Sequence, residues 1–584
     1  MNRRTDLRAS VILAGLLLAT GPLASLSHAE RSTDGEEELL PIHETAAERA
    51  LAQLLPRVVL VNDPPPAGPI RNVAEFEPCS GALIRYPLGI SYALVKEMAE
   101  DVTVHVVVSS TYHATAAANF LSQGVDTARC EFIVEPNNSI WTRDYGPWFV
   151  FDGNGDQVIL DHFYNRTARA ADNAIPIALG ARWGIPVVTH DLWHTGGNYM
   201  TEGHGLSFSS DLVWHENGPM APPEVAQFML DYYGVDDYAV LPDIALGGIH
   251  HIDTWGKLLD EETVLMKQVD PSHPDYDRIE ANVATVSSLT NKYGRPFQVV
   301  RLFCPSISSG NVAAYTNALI LNDKVLVPTF DLPADDAAAL QVYRDHMPGY
   351  EVLGFSGGWL SDDALHCRVM GIHDRYLLRV DHDRVQQAPG GLPIPVTFYA
   401  DDRSEAGIDP TGTALYWRET GAPTFQMVNL VPDTEPDWYR AQIPAQNPGT
   451  QVEYYLTARD STGRVASRPR TAPAAAYDLT IDGPTGIRPT GKTPRLTLTV
   501  GPSPFRHRTV VRFQLQKPGP ATLAVYDVRG RRIARLLEGT LPAEQQEMEW
   551  NGTCSDGTSA PTGVYFVVLE AGGQRLARRV TLLR

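Results

Sequence analysis

Cysteine is scarce in this sequence, and positive charge is outnumbered by negative charge. The 584 residues include 5 cysteines, which form no CxxC pair and no Cys/His spacing typical of zinc. So few and widely scattered cysteines exclude a disulfide scaffold. Lys and Arg number 48 against 69 Asp and Glu, a formal net charge of −21. This balance disfavours nucleic acid or an anionic membrane as the main partner and is compatible with a cationic substrate.

Long apolar runs are missing from the chain after its N-terminus. The run at 11–26 follows three arginines and precedes small residues that end at Ala29, a pattern typical of a secretory signal peptide. Gly21 and Pro22 interrupt this short run, which disfavours a membrane anchor. We therefore expect 1–29 to be a signal peptide cleaved after Ala29, and we expect no membrane span in the mature protein.

Changes in composition divide the rest of the chain into four parts. Residues 30–60 are polar and acid-rich, and we expect a mobile leader with some helix there. From 61 to 388, strand-like apolar runs alternate with helical patterns, which indicates an α/β domain. Residues 392–482 contain short alternating runs separated by turn residues, the pattern of a β-sandwich. A linker rich in Pro, Gly and Thr then leads to a second all-β module at 493–584.

The α/β region contains a thiol, an imidazole and two carboxylates that together suit attack on a guanidinium group. These are Cys367, His251, Asp253 and Asp144. A guanidinium carbon is a poor electrophile because its charge is shared among its nitrogens, so attack needs a thiolate and acceptors that fix the plane. Carboxylates accept the N–H groups and compensate the buried charge. An imidazole assists ionisation of the thiol and protonates the departing nitrogen.

Each of these residues also has a purely structural interpretation. An isolated cysteine such as Cys367 is often an inert core residue, and Asp144 could cap the turn that follows it. The local pattern does not decide whether His250 or His251 acts. Trp141 could be a core residue or could stack on a guanidinium plane. Spacing alone therefore makes a deiminase one hypothesis among several.

Four segments, at 139–148, 195–205, 251–257 and 365–367, resemble the bacterial peptidylarginine deiminase/agmatine deiminase family. The resemblance covers roughly 75–373, with the segments in the family's order. It implies the pentein fold, a pseudo-fivefold β/α propeller. It also implies hydrolysis of a guanidino group to a ureido group and ammonia through a covalent thiouronium intermediate, with no metal or other cofactor.

The resemblance assigns a role to each matching position. These roles are Cys367 as nucleophile, His251 as general acid/base, Asp144 and Asp253 as guanidinium-binding carboxylates, Asn317 as a supporting polar residue and Trp141 as a wall of the site. Asn317 has its own structural alternative, which is to end a hydrogen-bond ladder.

Arg166 and Arg169 bear on the choice of substrate. They lie in a stretch that resembles the one where the peptidylarginine branch places two arginines that bind a C-terminal carboxylate. Arg166 matches the first, whereas Arg169 is displaced by one residue from the second, and both could instead lie on a solvated face. Agmatine has no carboxylate, so this pair favours peptides with a C-terminal arginine, or free arginine.

The last module resembles the type IX secretion sorting domain, which is related to an Ig-like domain of flagellar hook-cap proteins. The resemblance is carried by segments at 501–506, 525–530 and 563–567 and by a basic end at Arg578 and Arg579. It implies the type IX secretion machinery as a partner and a secreted or cell-surface location. The structural alternative is a plain β-sandwich. The module at 392–482 is similar to the Ig-like domain that follows the catalytic domain in secreted peptidylarginine deiminases.

Three other functions are open on the sequence alone. Agmatine deiminase would act on a small guanidino substrate, and an amidinotransferase would use the same fold and nucleophile. A non-catalytic surface adhesin would use an inactive pentein domain with two β modules.

Overall fold

The structure is a computed structural model. It describes residues 39–54, 61–244, 248–308, 311–360, 363–482 and 497–582, the last without 502–504, 506–507, 516, 528–530, 544, 556 and 573. The predicted signal peptide, the first part of the predicted leader and the linker before the last module lie outside these residues. Among the residues that are described, no helix is both long enough and apolar enough to cross a membrane.

Between residues 71 and 373 of the described chain, one arrangement of strands and helix occurs five times. Two short antiparallel strands are followed by a helix, which crosses over to a third strand parallel to the second. The fifth unit combines the two ends of the region. Its first strand, Met370–His373, comes last in the chain and pairs antiparallel with Cys79–Tyr86 from the start of the region. The predicted α/β class is confirmed, and the closed pseudo-fivefold propeller stays a prediction.

The bounds of these elements follow from the hydrogen-bonding pattern. The sheets, in bonded order, are Arg71–Asn72, Trp148–Phe151, Gln157–Tyr164 and Val187–His194; Asp237–Leu241, Leu206–Ser210 and Met200–Thr201; Gly256–Leu258, Thr263–Gln268 and Gln298–Phe303; Leu319–Leu321, Lys324–Thr329 and Glu351–Ser356; Met370–His373, Cys79–Tyr86, Thr103–Val108 and Cys130–Val134; with a hairpin of Ser306–Ser308 and Asn311–Val312. The α-helices are Tyr92–Asp101, His113–Ser122, Thr142–Tyr145, Ala170–Asn173, Ile175–Trp183, Leu212–Glu216, Pro222–Tyr233, Tyr276–Ser288 and Pro333–His346, and the 3-10 turns are Thr127–Arg129, Gly196–Asn198, Ile252–Thr254 and His366–Arg368.

Local sequence explains these elements. Thr103–Val108 is almost wholly apolar and buried along its length, as expected for a strand covered on both faces. Pro222–Tyr233 has proline in its first turn, where the missing N–H costs nothing, and ends at Gly234 with φ +67°. The apolar faces of strands and helices pack into three extended buried clusters.

The sandwich begins earlier than the predicted boundary between 388 and 392. Leu378–Asp381 already pairs with Ile394–Asp402, and Gln387–Pro389 pairs with Tyr477–Asp482. Residues 390–393 therefore form a connection between two paired strands of the sandwich, and the Pro and Gly residues of this stretch occupy that turn and the strand ends beside it. The two sheets share one buried core. Their strands are Leu378–Asp381, Gln387–Pro389, Ile394–Asp402, Ala414–Glu419, Gln426–Asn429, Val431–Pro432, Trp438–Ile443, Gln451–Arg459, Val465–Arg468 and Tyr477–Asp482.

The last module also has two antiparallel sheets around one core. Its strands are Thr497–Gly501, Thr509–Gln514, Gly519–Asp527, Arg532–Leu541, Gln545–Trp550, Gly563–Ala571 and Gln574–Leu582. This matches the predicted all-β character, and the Ig-like and sorting-domain assignments stay predictions.

The predicted mobile leader differs from the structure over 39–54. Leu39 and Ile42 are buried, 5% and 3% exposed. The helix expected there spans Ala46–Ala52, and a reciprocal capping pair of Thr45 and Glu48 begins it. The acid-rich composition of the segment hid two apolar anchors, which fix its position.

Candidate active site

Five short turns bring the candidate residues together, and each turn precedes the first strand of one repeated unit. They are Thr142–Tyr145, Gly196–Asn198, Ile252–Thr254, the turn at 315–316 that Asn317 follows, and His366–Arg368. Each ends within a few residues of its strand, and Thr142–Tyr145 contacts both Gly196–Asn198 and His366–Arg368. Residues far apart in sequence thus reach one place because each unit contributes its equivalent turn.

The Cys367 thiol lies at the centre of this arrangement and is fully buried. Its sulfur is 3.4 Å from Asn317 Nδ2 and 3.7 Å from Asp253 Oδ2. Asn317 Oδ1 also accepts from the backbone N–H groups of Cys367 and His366, at 3.3 and 3.0 Å. Burial and the carboxylates nearby raise the pKa of the thiol well above its usual value. Asn317 therefore positions the thiol segment, and an incoming cation would favour the thiolate.

His251, rather than His250, belongs to this cluster. Its Nε2 lies 3.0 Å from Thr195 Oγ1, and its Nδ1 lies 3.5 Å from Asp144 Oδ1. Burial lowers the pKa of His251 to about 3, so the ring is neutral near pH 7 without a ligand. His250 has φ +65°, and its half-exposed ring bonds to Asp243 instead.

Asp144, Asp253 and His251 converge beside Gly197. A Cβ atom built on Gly197 would lie 2.6 Å from His251 Nδ1, 2.8 Å from Asp144 Oδ1 and 3.2 Å from Asp253 Oδ2. Any larger residue there would overlap all three groups, so the position requires glycine. The Gly197 N–H donates to Asp144 Oδ1 at 3.2 Å. The geometry therefore leaves the polar atoms pointing at a shared space.

Three buried polar atoms in this cluster have no hydrogen-bond partner among the described residues. They are Asp144 Oδ2, Asp253 Oδ1 and His251 Nδ1. Buried polar groups in proteins are almost always paired, so such a group of orphans points to a ligand. Two carboxylate oxygens require donors, and a planar cation with several N–H groups supplies them. These unpaired acceptors therefore fit the N–H groups of a guanidinium.

The two carboxylates are in different electrostatic states. Burial and the neighbouring charge of Asp253 raise the pKa of Asp144 to about 8. Burial opposes ionisation of Asp253 as well, yet the hydrogen bond and charge of His366 bring the pKa of Asp253 below its usual value. One buried carboxylate is thus held ionised and the other is poised to lose its proton when a cation arrives.

Sequence reasoning missed the residues that hold Asp253 in place. His366 Nδ1 lies 2.7 Å from Asp253 Oδ2, and His366 Nε2 lies 2.5 Å from Glu75 Oε2. Glu75 also pairs with Lys257 at 2.7 Å and Arg143 at 3.4 Å. The adjacency of His366 to the thiol was the one signal in the sequence, since Glu75 is 291 positions away from its partner.

A cavity of about 30 Å³ lies beside this chain of charges. Its lining includes Glu75, Asp253, Lys257 and His366. A space of this size with several polar groups around it can hold a water molecule. It provides a place for water next to the charged partners of Asp253.

Trp141, Arg166 and Arg169 all contact the chain's own N-terminal segment. Trp141 Nε1 donates to Leu40 O at 3.0 Å, and Arg166 Nε donates to Ile42 O at 3.1 Å. Arg169 is buried and binds both main-chain oxygens and a carboxylate of that segment. Arg169 therefore does not lie on a solvated face, which was the structural alternative for both arginines.

The raised pKa of Asp144 predicts a pH-dependent stability. The folded protein keeps a proton on Asp144 up to about pH 8, whereas the unfolded chain releases it near pH 4. This contribution to stability is complete below about pH 4 and is lost as the pH rises through about 8. In Asp144→Asn the group no longer titrates, so the Tm of the variant should exceed that of wild type by a margin that grows from pH 5 to 8.

Differential scanning fluorimetry across this pH range measures the margin. Asp231→Asn, at an exposed helix position, is the matched control and should show no such trend. A margin for Asp144→Asn that stays constant or shrinks with rising pH would contradict the assignment.

The sequence is similar to known deiminases. Residues 90–370 match the family model of Porphyromonas-type peptidyl-arginine deiminase. The agmatine deiminase of Pseudomonas aeruginosa (strain UCBPP-PA14) is 24% identical over 328 residues, covering 47% of this chain and 84% of that protein. A putative agmatine deiminase of Legionella pneumophila (strain Paris) is 24% identical over 260 residues, covering 41% and 73%.

A solved structure of a putative arginine deiminase from Porphyromonas gingivalis is similar to this chain with a TM-score of 0.48 and 22% identity, covering 53% of this chain and 99% of that one. The family-model match and the sequence relatives fall in the same region as the four motifs and agree with the resemblance that those motifs carry.

Proposed function

We propose that this protein is an exported deiminase that converts arginine in peptides, above all C-terminal arginine, to citrulline and ammonia. The observation that carries the proposal is the meeting of His251, Asp144 and Asp253 around Gly197. The Cys367 sulfur lies 3.7 Å from Asp253 Oδ2, and buried carboxylate oxygens are left for a cation. The match to the Porphyromonas-type model supports the same reaction class.

In the first half of the proposed reaction, the thiol replaces ammonia on the guanidinium carbon. Asp144 Oδ2 and Asp253 Oδ1 accept the N–H groups and fix the plane. The positive substrate favours the Cys367 thiolate, which forms a C–S bond to the central carbon. His251 receives the thiol proton and passes it to the nitrogen whose C–N bond breaks, so ammonia leaves and a thiouronium remains.

In the second half, water replaces sulfur. His251, neutral again, accepts a proton from water as the oxygen attacks the thiouronium carbon. The C–S bond then breaks, the electron pair returns to Cys367, and the product carries a ureido group. Of the two protons that water loses, one restores the Cys367 thiol and the other converts the departed ammonia to ammonium, so atoms and charge balance without a metal or redox partner.

Arg166 and Arg169 support the peptide as substrate. Both guanidinium groups bind carbonyl oxygens of a polypeptide segment beside the site, and Arg169 also binds a carboxylate. A peptide ending in arginine offers the same kinds of acceptor, whereas agmatine offers none. Agmatine deiminase is the second candidate, because relatives of this chain carry that name.

Replacement of the thiol tests catalysis itself. Cys367→Ala should abolish release of ammonia from every guanidino substrate, by a factor of about a thousand or more, because no covalent intermediate can form. Cys304→Ala is the matched control, since Cys304 is equally buried but lies outside the cluster. An inactive wild type that folds normally would favour the adhesin, and an ammonia release that requires an amine acceptor would favour amidinotransfer.

Replacement of Arg166 tests the substrate. Arg166→Ala should lower kcat/KM for a peptide with C-terminal arginine by about thirtyfold relative to a peptide without a free carboxylate, roughly 2 kcal/mol for loss of a charged contact. The same peptide with its arginine internal and its end amidated should change far less. Arg182→Ala, an exposed arginine paired with Glu131, is the control. Equal effects on both peptides, or a wild-type preference for agmatine, would overturn the peptide assignment.

Export is part of the proposal. Removal of the signal peptide predicts a mature N-terminus at Glu30, and the last module predicts passage across the outer membrane. Mass spectrometry of protein from the culture medium or cell surface of the producing bacterium measures that N-terminus. Deletion of residues 493–584 should retain the protein inside the cell, and undiminished export of the shortened chain would contradict the role of this module.

A further inference from the structure

We propose that residues 39–52 are a tethered occupant of the peptide-binding groove, which covers the Cys367 thiol and must be displaced before a substrate arginine can reach it. The segment would thus be a built-in inhibitor. This inference rests on the proposed function, because it takes the groove formed by Trp141, Arg166 and Arg169 to be the one that receives peptides.

Apolar contacts bring the segment to the thiol. Leu39 and Ile42 belong to one buried cluster with Cys367, Trp141 and Ile249. In this arrangement the thiol has no exposed surface. The two residues that the segment contributes to this cluster, Leu39 and Ile42, are aliphatic, and residues 39–48 contain no arginine. The segment therefore occupies the entrance without offering a guanidinium to the nucleophile.

Four consecutive carbonyl oxygens of the segment are bound by the residues expected to bind substrate. Leu40 O and Ile42 O accept from Trp141 and Arg166 at 3.0 and 3.1 Å. The carbonyls of residues 41 and 43 both accept from Arg169 Nη2, at 2.7 and 3.2 Å. Recognition of main-chain oxygens does not depend on side-chain identity, so the same donors would accept many peptides.

A carboxylate completes the contact. Glu48 Oε1 accepts from Arg169 Nε at 2.8 Å, and Glu48 Oε2 accepts from Arg169 Nη2 at 3.2 Å. Both side chains are largely buried, 12% and 1% exposed, so water screens the pair little. The fork geometry is the one by which arginine recognises carboxylates. Glu48 therefore occupies the place that the substrate's carboxylate would take.

The helix that holds Glu48 makes this mimicry stable. Thr45 begins Ala46–Ala52, and Glu48 bonds back to the Thr45 N–H while Thr45 Oγ1 accepts from the Glu48 N–H. Glutamine at the same position completes such a capping box equally well. Glu48→Gln therefore removes the charge that Arg169 binds and keeps the helix start.

Two variants of the full mature chain test whether residues 39–52 cover the Cys367 thiol. Ile42→Asp places a charge in the apolar cluster and should expel the segment, whereas Glu48→Gln weakens it without disturbing the core. Glu44→Gln is the matched control, because it removes a carboxylate of the same segment that makes no contact with the groove among the described residues. Circular dichroism and Tm report whether each variant folds, and Glu48→Gln carries the test if Ile42→Asp does not.

The first measurement is the rate at which iodoacetamide alkylates Cys367, determined by mass spectrometry of its peptide with Cys304 as internal reference. We expect a rise of at least tenfold in Ile42→Asp, a severalfold rise in Glu48→Gln and no change in Glu44→Gln. The second is kcat/KM for a peptide with C-terminal arginine, which should rise in the same order. Unchanged alkylation in both variants, or activity that falls with them, would mean that the segment is a permanent wall of the site.

The two proposals can fail separately. Faster alkylation of Cys367 without turnover of any guanidino substrate would retain the cover and reject the deiminase. Turnover by wild type that neither variant alters, together with constant alkylation, would retain the deiminase and reject the cover. A free peptide amide that displaces the segment as well as the free acid does would show that main-chain contacts, and not the carboxylate, govern access.

Discussion

Asp144 and Asp253 are buried side by side and face the same point beside Gly197, and such an arrangement of like charges is unfavourable by itself. The arrangement is tolerated because the two carboxylates have different hydrogen-bond partners and different protonation states. His366 contacts Asp253 on one side and Glu75 on the other, so each ring nitrogen meets a carboxylate that only accepts. Asp144 has no such partner and keeps its proton. A guanidinium between them satisfies both, which makes the site selective for a planar cation.

The charged support extends away from the reacting atoms. Burial alone would keep Glu75 neutral, but the charges of His366, Lys257 and Arg143 hold the pKa of Glu75 well below its usual range. A buried charge is tolerated where it is paired and hydrogen-bonded, and loss of one partner exposes the other to the full cost of burial. The fold thus has to fix several distant side chains before the two aspartates can coexist.

The repeated unit explains how one chain supplies so many converging groups, and it also sets what a sequence can reveal. Cys367, His251, Asp144, Asp253 and Asn317 were predictable because short motifs carry them and because the chemistry of a guanidinium needs those types. The choice of His251 over His250 came from the family resemblance and not from the local pattern, because it depends on a positive φ at His250 and on burial of His251.

Long-range partners were equally hidden from the sequence. Glu75 contacts His366 across 291 positions, and nothing in either local pattern reports that pairing. The boundary after the α/β region was also misplaced, because Pro and Gly in short strands resemble those in a linker. The leader was misread for a related reason. Its average composition is acidic, whereas its position depends on two aliphatic residues and one ion pair.

The contacts that hold the segment over the thiol are the ones that would bind a substrate peptide, so the segment and the peptide compete for the same groove. A tether gives the segment an effective concentration of about millimolar at the groove, so a free peptide with similar contacts competes at a disadvantage. Its apparent affinity equals the intrinsic affinity multiplied by the fraction of molecules that are open. Arg169 binds Glu48 and would bind the substrate's carboxylate. Stronger contacts of Arg169 would therefore stabilise both the covered site and the substrate-bound site, and the ratio of the two populations would change little. Control of access therefore lies with contacts that only the segment makes, which are the aliphatic anchors Leu39 and Ile42.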